Sequence, residues 1–272
     1  MNQAYETDNA TLLPTYSGPI LAGEFRLRRM RVLHAGFSLP GANRLSNEDR
    51  LYVAEEFGVI AVADGVGGSA SGGKSAQDCI DLMQEHLSGR GQGVDRTQAL
   101  REAIVWTNGR MLAQSWQPGG SERNPGGCCL AGVLLDADRA EFTTFHVGDA
   151  AVYGQSDAKW HKLTSDHLEQ AARPGTDARL SRKPRIRRAM GLTPVPKIDL
   201  ATYPIRSMER LMITSDGCDL RYLSDSGVPA PDPDVGRTLD ESIRDLASAV
   251  VAGPLRDDST AVMIEAVLDA GD

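Results

Sequence analysis

No apolar run in this chain approaches the roughly 20 residues that a membrane-spanning helix needs. Asn2 to Glu6, behind Met1, carry no basic stretch leading into an apolar one, as an export signal would. Positive charge is also in short supply: Lys and Arg number 29 against 37 Asp and Glu, and the net charge of -8 excludes nucleic acid as the main partner. Cys79, Cys128, Cys129 and Cys218 form neither a CxxC pair nor a dense framework, which excludes a zinc knuckle and a disulfide scaffold and leaves them as reduced, buried small hydrophobes. No fixed-period repeat and no linker rich in Pro, Gly or Ser divides the chain. With 272 residues and 41% hydrophobic content, one large domain with a sizeable core is the expectation, soluble and cytoplasmic.

Residues 1–30, broken by Pro14, Gly18, Pro19 and Gly23, read as an N-terminal extension, and the body runs from 31 to 268. Strand patterns are predicted at 31–37, 51–54, 59–63, 128–135, 140–148, 150–153, 159–163, 198–201, 211–215 and 260–267. Ala76, Ile80, Met83 and Leu87 mark one helix and Leu100, Ala103, Ile104, Thr107 and Met111 a second. Thr238 with Glu241 predicts a capping box before a third, whose buried stripe is Leu239, Ile243, Leu246 and Val250. Paired helices followed by successive strands do not make a βαβ alternation, so helices outside packed antiparallel sheets are expected. Between about 167 and 197, a short helix at His167 to Ala172 gives way to Arg179, Arg182, Lys183, Arg185, Arg187 and Arg188, with Pro174 and Gly175 nearby. This stretch reads as a basic, flap-like segment in which Arg182, Lys183 and Arg185 can meet a phosphorylated partner.

Ala63-Asp64-Gly65, Ser215-Asp216-Gly217 and Arg256-Asp257-Asp258 each stand at an end of a strand-like run. Carboxylates brought together from strand ends repel one another, and a divalent cation relieves that repulsion. Metal-assisted chemistry on an anionic substrate follows.

Arg44 with Asn47-Glu48-Asp49, Asp64-Gly65-Val66-Gly67-Gly68, His146-Val147-Gly148-Asp149, Leu163-Thr164-Ser165-Asp166-His167, Ser215-Asp216-Gly217 and Arg256-Asp257-Asp258-Ser259-Thr260 occur in one order. That order resembles the metal-dependent serine/threonine protein phosphatases of the type 2C, or PPM, family, of the bacterial type. The resemblance covers residues 31 to about 267 and implies an α+β sandwich: two packed central antiparallel sheets with helices on both outer faces. It also implies two core Mn2+ or Mg2+ ions. Asp64 resembles the carboxylate that bridges them, with the Gly65 carbonyl beside it; Asp216 and Asp257 look like further ligands of one ion. Glu48 resembles the acid near the other, and Asp49 its neighbour that orients the hydrated pair. Asp149, with Asp216, resembles the site of a weaker third cation, and Arg44 the guanidinium that grips the substrate phosphate. Two hard cations about 4 Å apart activate water and neutralise charge on phosphoryl oxygens, and carboxylates suit them as ligands. Phosphorylated proteins, targets of serine/threonine kinases, are the partners implied.

Two alternatives compete. Gly68 with Gly73-Lys74-Ser75 matches the GxxxxGKS spacing of a phosphate loop ahead of a helix, which reads as nucleotide hydrolysis but leaves the distant acidic motifs unused. A weakly active relative serving as a phosphoprotein-binding module would not need every metal carboxylate. The chain also departs from the family pattern. Ser38 is followed by Leu39-Pro40-Gly41 where an acidic residue is common, putting accessory hydrogen bonding in question, and Cys128-Cys129 replace a usual pair of threonines.

Overall fold

The computed structural model describes residues 16–66, 71–88, 94–115, 126–168, 186–220, 236–253 and 257–269. Eleven strands among them form two antiparallel sheets. The six-stranded sheet contains β1 (Leu21–Leu27), β2 (Met30–Leu39), β7 (Ala151–Ser156), β8 (Lys159–Lys162), β10 (Arg210–Thr214) and β11 (Ser259–Leu268), in the order β1-β2-β11-β10-β7-β8. The five-stranded sheet contains β3 (Arg50–Ala54), β4 (Val59–Val66), β5 (Gly127–Asp136), β6 (Glu141–Val147) and β9 (Asp199–Pro204), in the order β3-β4-β5-β6-β9. Helices α1 (Ser71–Leu87) and α2 (Arg96–Ser115) cover the five-stranded sheet, and α3 (Leu239–Ala252) covers the other. The expected sandwich is therefore present.

The period of two along each strand decides the layering. On β5, Cys128, Leu130 and Leu134 point to the helices, whereas Cys129, Ala131, Val133 and Leu135 point between the sheets. On β10 and β11, Ile213, Val262 and Ile264 enter the middle layer while Met212, Ala261 and Met263 meet α3. Gly132 on β5 lies opposite Phe145, whose ring occupies the place a β-carbon would take, and that atom would also stand 2.6 Å from the Ile60 carbonyl oxygen. The capping box of α3 is formed: Glu241 N–H donates to Thr238 Oγ1 at 3.3 Å and Thr238 N–H to Glu241 Oε2 at 2.9 Å.

Two boundaries differ from the sequence reading. The body begins earlier than residue 31, because Leu21–Leu27 pair along their whole length with β2 and bury Phe25 and Leu27. Leu168 is not helical but bridges to Ile186, and residues 186–197 are docked rather than loose. Met190 is fully buried and pairs with Cys128, and the Asn108 side chain accepts from Gly191 N–H at 2.9 Å and donates to the Thr193 carbonyl at 2.8 Å. Arg179, Arg182, Lys183 and Arg185 lie outside the described residues.

Candidate active site

The acidic motifs gather where the chain crosses between the sheets. The loop 40–49 leaves β2 in one sheet and enters β3 in the other; residues 148–150 leave β6 and enter β7 in the reverse direction. Asp64, near the end of β4, sits opposite Cys129. Thr214 pairs with Ala151 and with Ala261, so continuing those registers carries Asp216 toward Asp149 and toward the start of β11. Ser215 fastens that corner, its N–H donating to the Thr260 carbonyl and its hydroxyl accepting from Thr260 N–H, both at 2.9 Å. Gly65 is required by space: a β-carbon there would stand 2.5 Å from the Gly72 carbonyl carbon and 2.9 Å from the Glu48 carbonyl oxygen.

The electrostatics register this crowding. Asp49 is 3% exposed, its two carboxylate oxygens have no hydrogen-bond partner, and its pKa is pushed up to about 7. Burial is the main cause and repulsion by Asp258 and Asp216 adds to it; the Ser215 and Thr260 hydroxyls, near but short of bonding geometry, offset part. Asp64, half-buried, is held well above the usual carboxylate range, first by burial and then by Asp49, Asp216 and Asp149. Asp216 N–H donates to it at 3.4 Å. Burial also raises Glu48, against the opposing pull of Arg44. Four carboxylates, Asp49, Asp64, Asp149 and Asp216, thus share one low-dielectric space that holds the unpartnered oxygens of Asp49, a donor set that fits hard divalent cations.

Arg44 lies at the rim, its guanidinium joined to Glu48 at 3.0 Å and to Asp257, with the side chain 30% exposed. It has more N–H donors than those two bonds use. Glu48 and Asp257 therefore come together through Arg44, whereas Asp49, Asp64, Asp149 and Asp216 come together directly.

Asp258 stands in the Arg256-Asp257-Asp258 motif, but the sequence assigns it no role. It is 3% exposed, with Oδ1 accepting from Gly41 N–H at 2.8 Å and Oδ2 from Glu48 N–H at 2.7 Å, so it pins both ends of the loop that carries Arg44. The hydrogen bonding in question around Ser38 is supplied by hydroxyl and amide groups: Ser38 Oγ lies 2.7 Å from Thr260 Oγ1 and accepts from Asn47 Nδ2 at 2.7 Å. A second group, His146, His167 and Asp199, brings one ligand atom from each residue within 4.8 Å of the others. Three of its four ring nitrogens are already engaged, however. His167 Nδ1 accepts from Gly148 N–H at 3.1 Å, His167 Nε2 faces Asp199 Oδ2 at 3.1 Å with the Arg188 guanidinium also 3.1 Å away, and His146 Nε2 meets the Ser165 carbonyl at 2.8 Å. A cationic guanidinium against the cluster makes it a poor cation site.

A family model described as protein phosphatase 2C matches residues 42–256. The chain belongs to that family. The resemblance carried by the six ordered motifs is thereby borne out, and this is a metal-dependent serine/threonine protein phosphatase. Among solved structures, Staphylococcus aureus Stp1, a serine/threonine phosphatase, superposes with a TM-score of 0.71 at 18% identity, over 85% of this chain and 94% of that one. Mycobacterium tuberculosis PstP/Ppp gives 0.66 at 22% identity, over 88% and 99%. PppA, a regulatory component of T6SS in Pseudomonas aeruginosa, gives 0.66 at 21%, over 87% and 98%. The PstP catalytic domain has also been solved with two manganese ions. A search of curated protein sequences finds no match. The nucleotide-hydrolase alternative is not favoured: Gly72 and Gly73 serve the phosphatase by lying against Glu48, and Lys74 is 71% exposed on the surface of α1, paired with Asp78.

Proposed function

We propose that this phosphatase hydrolyses phosphoserine and phosphothreonine in proteins by direct attack of water, with two Mn2+ or Mg2+ ions held by its carboxylate cluster. The observation that carries this reading is the pair Asp49 and Asp64, both raised first by burial, with neighbouring carboxylates adding to it: Asp258 and Asp216 for Asp49, and Asp49, Asp216 and Asp149 for Asp64. Asp64 would bridge the two ions beside the Gly65 carbonyl, Asp216 and Asp257 would complete one, and Glu48 and Asp49 would serve the other through water. Asp149 with Asp216 would take a weaker third ion. When bound, such ions act as Lewis acids toward water and phosphoryl oxygens.

The protein's own groups do the rest. Arg44 offers a planar, charge-assisted fork to the phosphate at the exposed rim. A thiol nucleophile is disfavoured: all four cysteines are buried, and burial pushes Cys129 and Cys218 up, while Cys128 is raised first by its contact with Cys79 and then by burial. Nucleophilic cysteines need the opposite shift. The full set of carboxylates favours turnover over a binding-only module. No helix among the described residues is long and apolar enough to cross a membrane; cytoplasmic phosphoproteins that are targets of serine/threonine kinases are the substrates we assign. Arg182, Lys183 and Arg185 would steer them, so neutralising all three should lower kcat/KM on acidic phosphopeptides more than on p-nitrophenyl phosphate, and salt should shrink that difference.

The deciding experiment measures phosphate release from phosphoserine, phosphothreonine and phosphotyrosine peptides with Mn2+, Mg2+ or EDTA. Release from the first two only with metal present is expected, with Asp64→Asn folded but nearly inactive. Full activity in EDTA, or near-normal turnover of Asp64→Asn at saturating metal, sinks the assignment.

A further inference from the structure

The segment Leu163-Thr164-Ser165-Asp166-His167 belongs to the family pattern, yet none of its residues lies in the carboxylate cluster. It is tied down at several points. Leu163 N–H donates to the Val152 carbonyl at 2.8 Å, and Thr164 Oγ1 accepts from Val152 N–H at 3.1 Å, which fixes the segment on β7. Asp166 pairs with Lys162 at 2.6 Å, and the same ammonium pairs with Asp219 at 2.6 Å. Asp219 N–H in turn closes the 3-10 turn that begins at Asp216, reaching the Asp216 carbonyl at 3.1 Å.

His167 makes the most specific contacts. Its backbone N–H donates to the Gly148 carbonyl at 2.8 Å, and its ring Nδ1 accepts from Gly148 N–H at 3.1 Å. Both polar groups of Gly148 are thus held by one residue, which ties the peptide planes on either side of it, the one leading into Asp149 through the Gly148 carbonyl. Gly148 has φ +114°, and a β-carbon there would collide with Cys129, so the crossing is seated sterically as well. The bond from Gly148 N–H assigns the tautomer: Nδ1 is bare and Nε2 carries the proton, directed to Asp199 Oδ2 at 3.1 Å. The His146 ring stacks on that of His167 with centroids 4.3 Å apart, and Arg187 N–H reaches the His167 carbonyl at 2.7 Å.

We infer that His167 is a positioning residue that sets the direction of Asp149 through Gly148, with Lys162 holding the Asp216 turn at a matching distance, so that the two carboxylates can share a cation. The inference rests on the reading that Asp149 and Asp216 form the weaker third cation site. Loss of a group that orients a metal ligand from behind lowers metal affinity by about 10- to 100-fold.

The test titrates Mn2+ into metal-stripped full-length protein by calorimetry, with melting in EDTA alongside, for wild type, Asp149→Asn, His167→Leu, His167→Asn and His167→Gln. Asn places an acceptor near the Nδ1 position; Gln reaches toward Asp199 instead. We expect His167→Leu to weaken the lowest-affinity Mn2+ event by about tenfold while the tighter events stay close to wild type, and Asn, not Gln, to restore it. Weakening of every event in proportion to lost melting temperature would reduce His167 to a structural role and overturn the inference, as would rescue by Gln alone. If Asp149→Asn removes the weak event and His167→Leu does not, the positioning role fails while the cation site stands. If Asp149→Asn leaves all events unchanged, the cation site itself is wrong, and the inference falls with it.

Discussion

Replacing Asp258 with alanine removes at one stroke the acceptor of two backbone N–H groups, those of Gly41 and Glu48, at 2.8 and 2.7 Å. A hydrogen bond to a charged acceptor contributes about 1.5 to 3 kcal/mol net, so the pair is worth about 3 to 6 kcal/mol. One effect opposes this. Asp258 repels Glu48 and Asp49 and helps to raise both, so the metal-free variant recovers part of the loss. The balance should be a destabilisation of about 3 kcal/mol, or roughly 6 to 12 °C in melting temperature for a domain of this size. Urea and thermal unfolding in EDTA at neutral pH would measure it, with Asp258→Asn as a companion. Asn keeps one acceptor oxygen and drops the charge, so it should lose about half as much. Because Arg44 N–H donates to the Gly41 carbonyl at 2.9 Å, the freed loop carries Arg44 with it, and kcat/KM should fall further than the folded fraction does. An alanine variant within about 1 kcal/mol of wild type would refute the clamp.

Arg44→Ala should lower kcat/KM by the lower end of the range for a charged contact, about 2 kcal/mol or 30-fold, since the side chain is 30% exposed; it should also tighten metal binding by releasing Glu48 and Asp257, and unchanged kinetics would defeat the phosphate role. The raised Asp49 pKa makes the metal-free fold pH-dependent: between about 4 and 7 the folded protein keeps a proton that the unfolded chain has released, so this contribution is present at the acid end and lost as pH rises through about 7. Mn2+ should therefore raise the melting temperature more at pH 8 than at pH 5, and the reverse order would contradict the assignment. Thiol titration under native conditions should find Cys79, Cys128, Cys129 and Cys218 all slow, with full reaction only in denaturant; one fast thiol would show that burial does not protect them.

The sequence carried most of the architecture because buried strands and amphipathic helices announce themselves by period. Strand β1 escaped because it is an edge strand: only Phe25 and Leu27 of its seven residues are buried, Glu24 and Arg26 interrupt the pattern, and its turn into β2 uses Arg28 at φ 50° in place of an Asn-Gly or Asp-Gly signal. The clustered carboxylates were legible as ordered motifs. Asp258 was not, because its partners are backbone N–H groups, which have no residue type to read. His167 was hidden for a different reason: Gly148 and Asp199 lie 19 and 32 positions away, and only the fold brings them to its ring.

Gly132 has a bearing on how β5 finds its place. A strand buried on both faces carries no inside-outside code, so its apolar pattern alone does not distinguish one alignment from a slipped one. The Phe145 ring over Gly132 supplies the missing information as a steric key, since any other residue of β5 brought beneath that ring carries a β-carbon, apart from Gly127 at its end. The key also fixes what lies along the same ladder. Asp64 faces Cys129, three residues from Gly132, and a slip of two residues would displace it by about 7 Å relative to the crossing at Gly148. A larger side chain at position 132 should thus act on the folding pathway, yielding chains whose sheet is paired but whose acidic residues never meet.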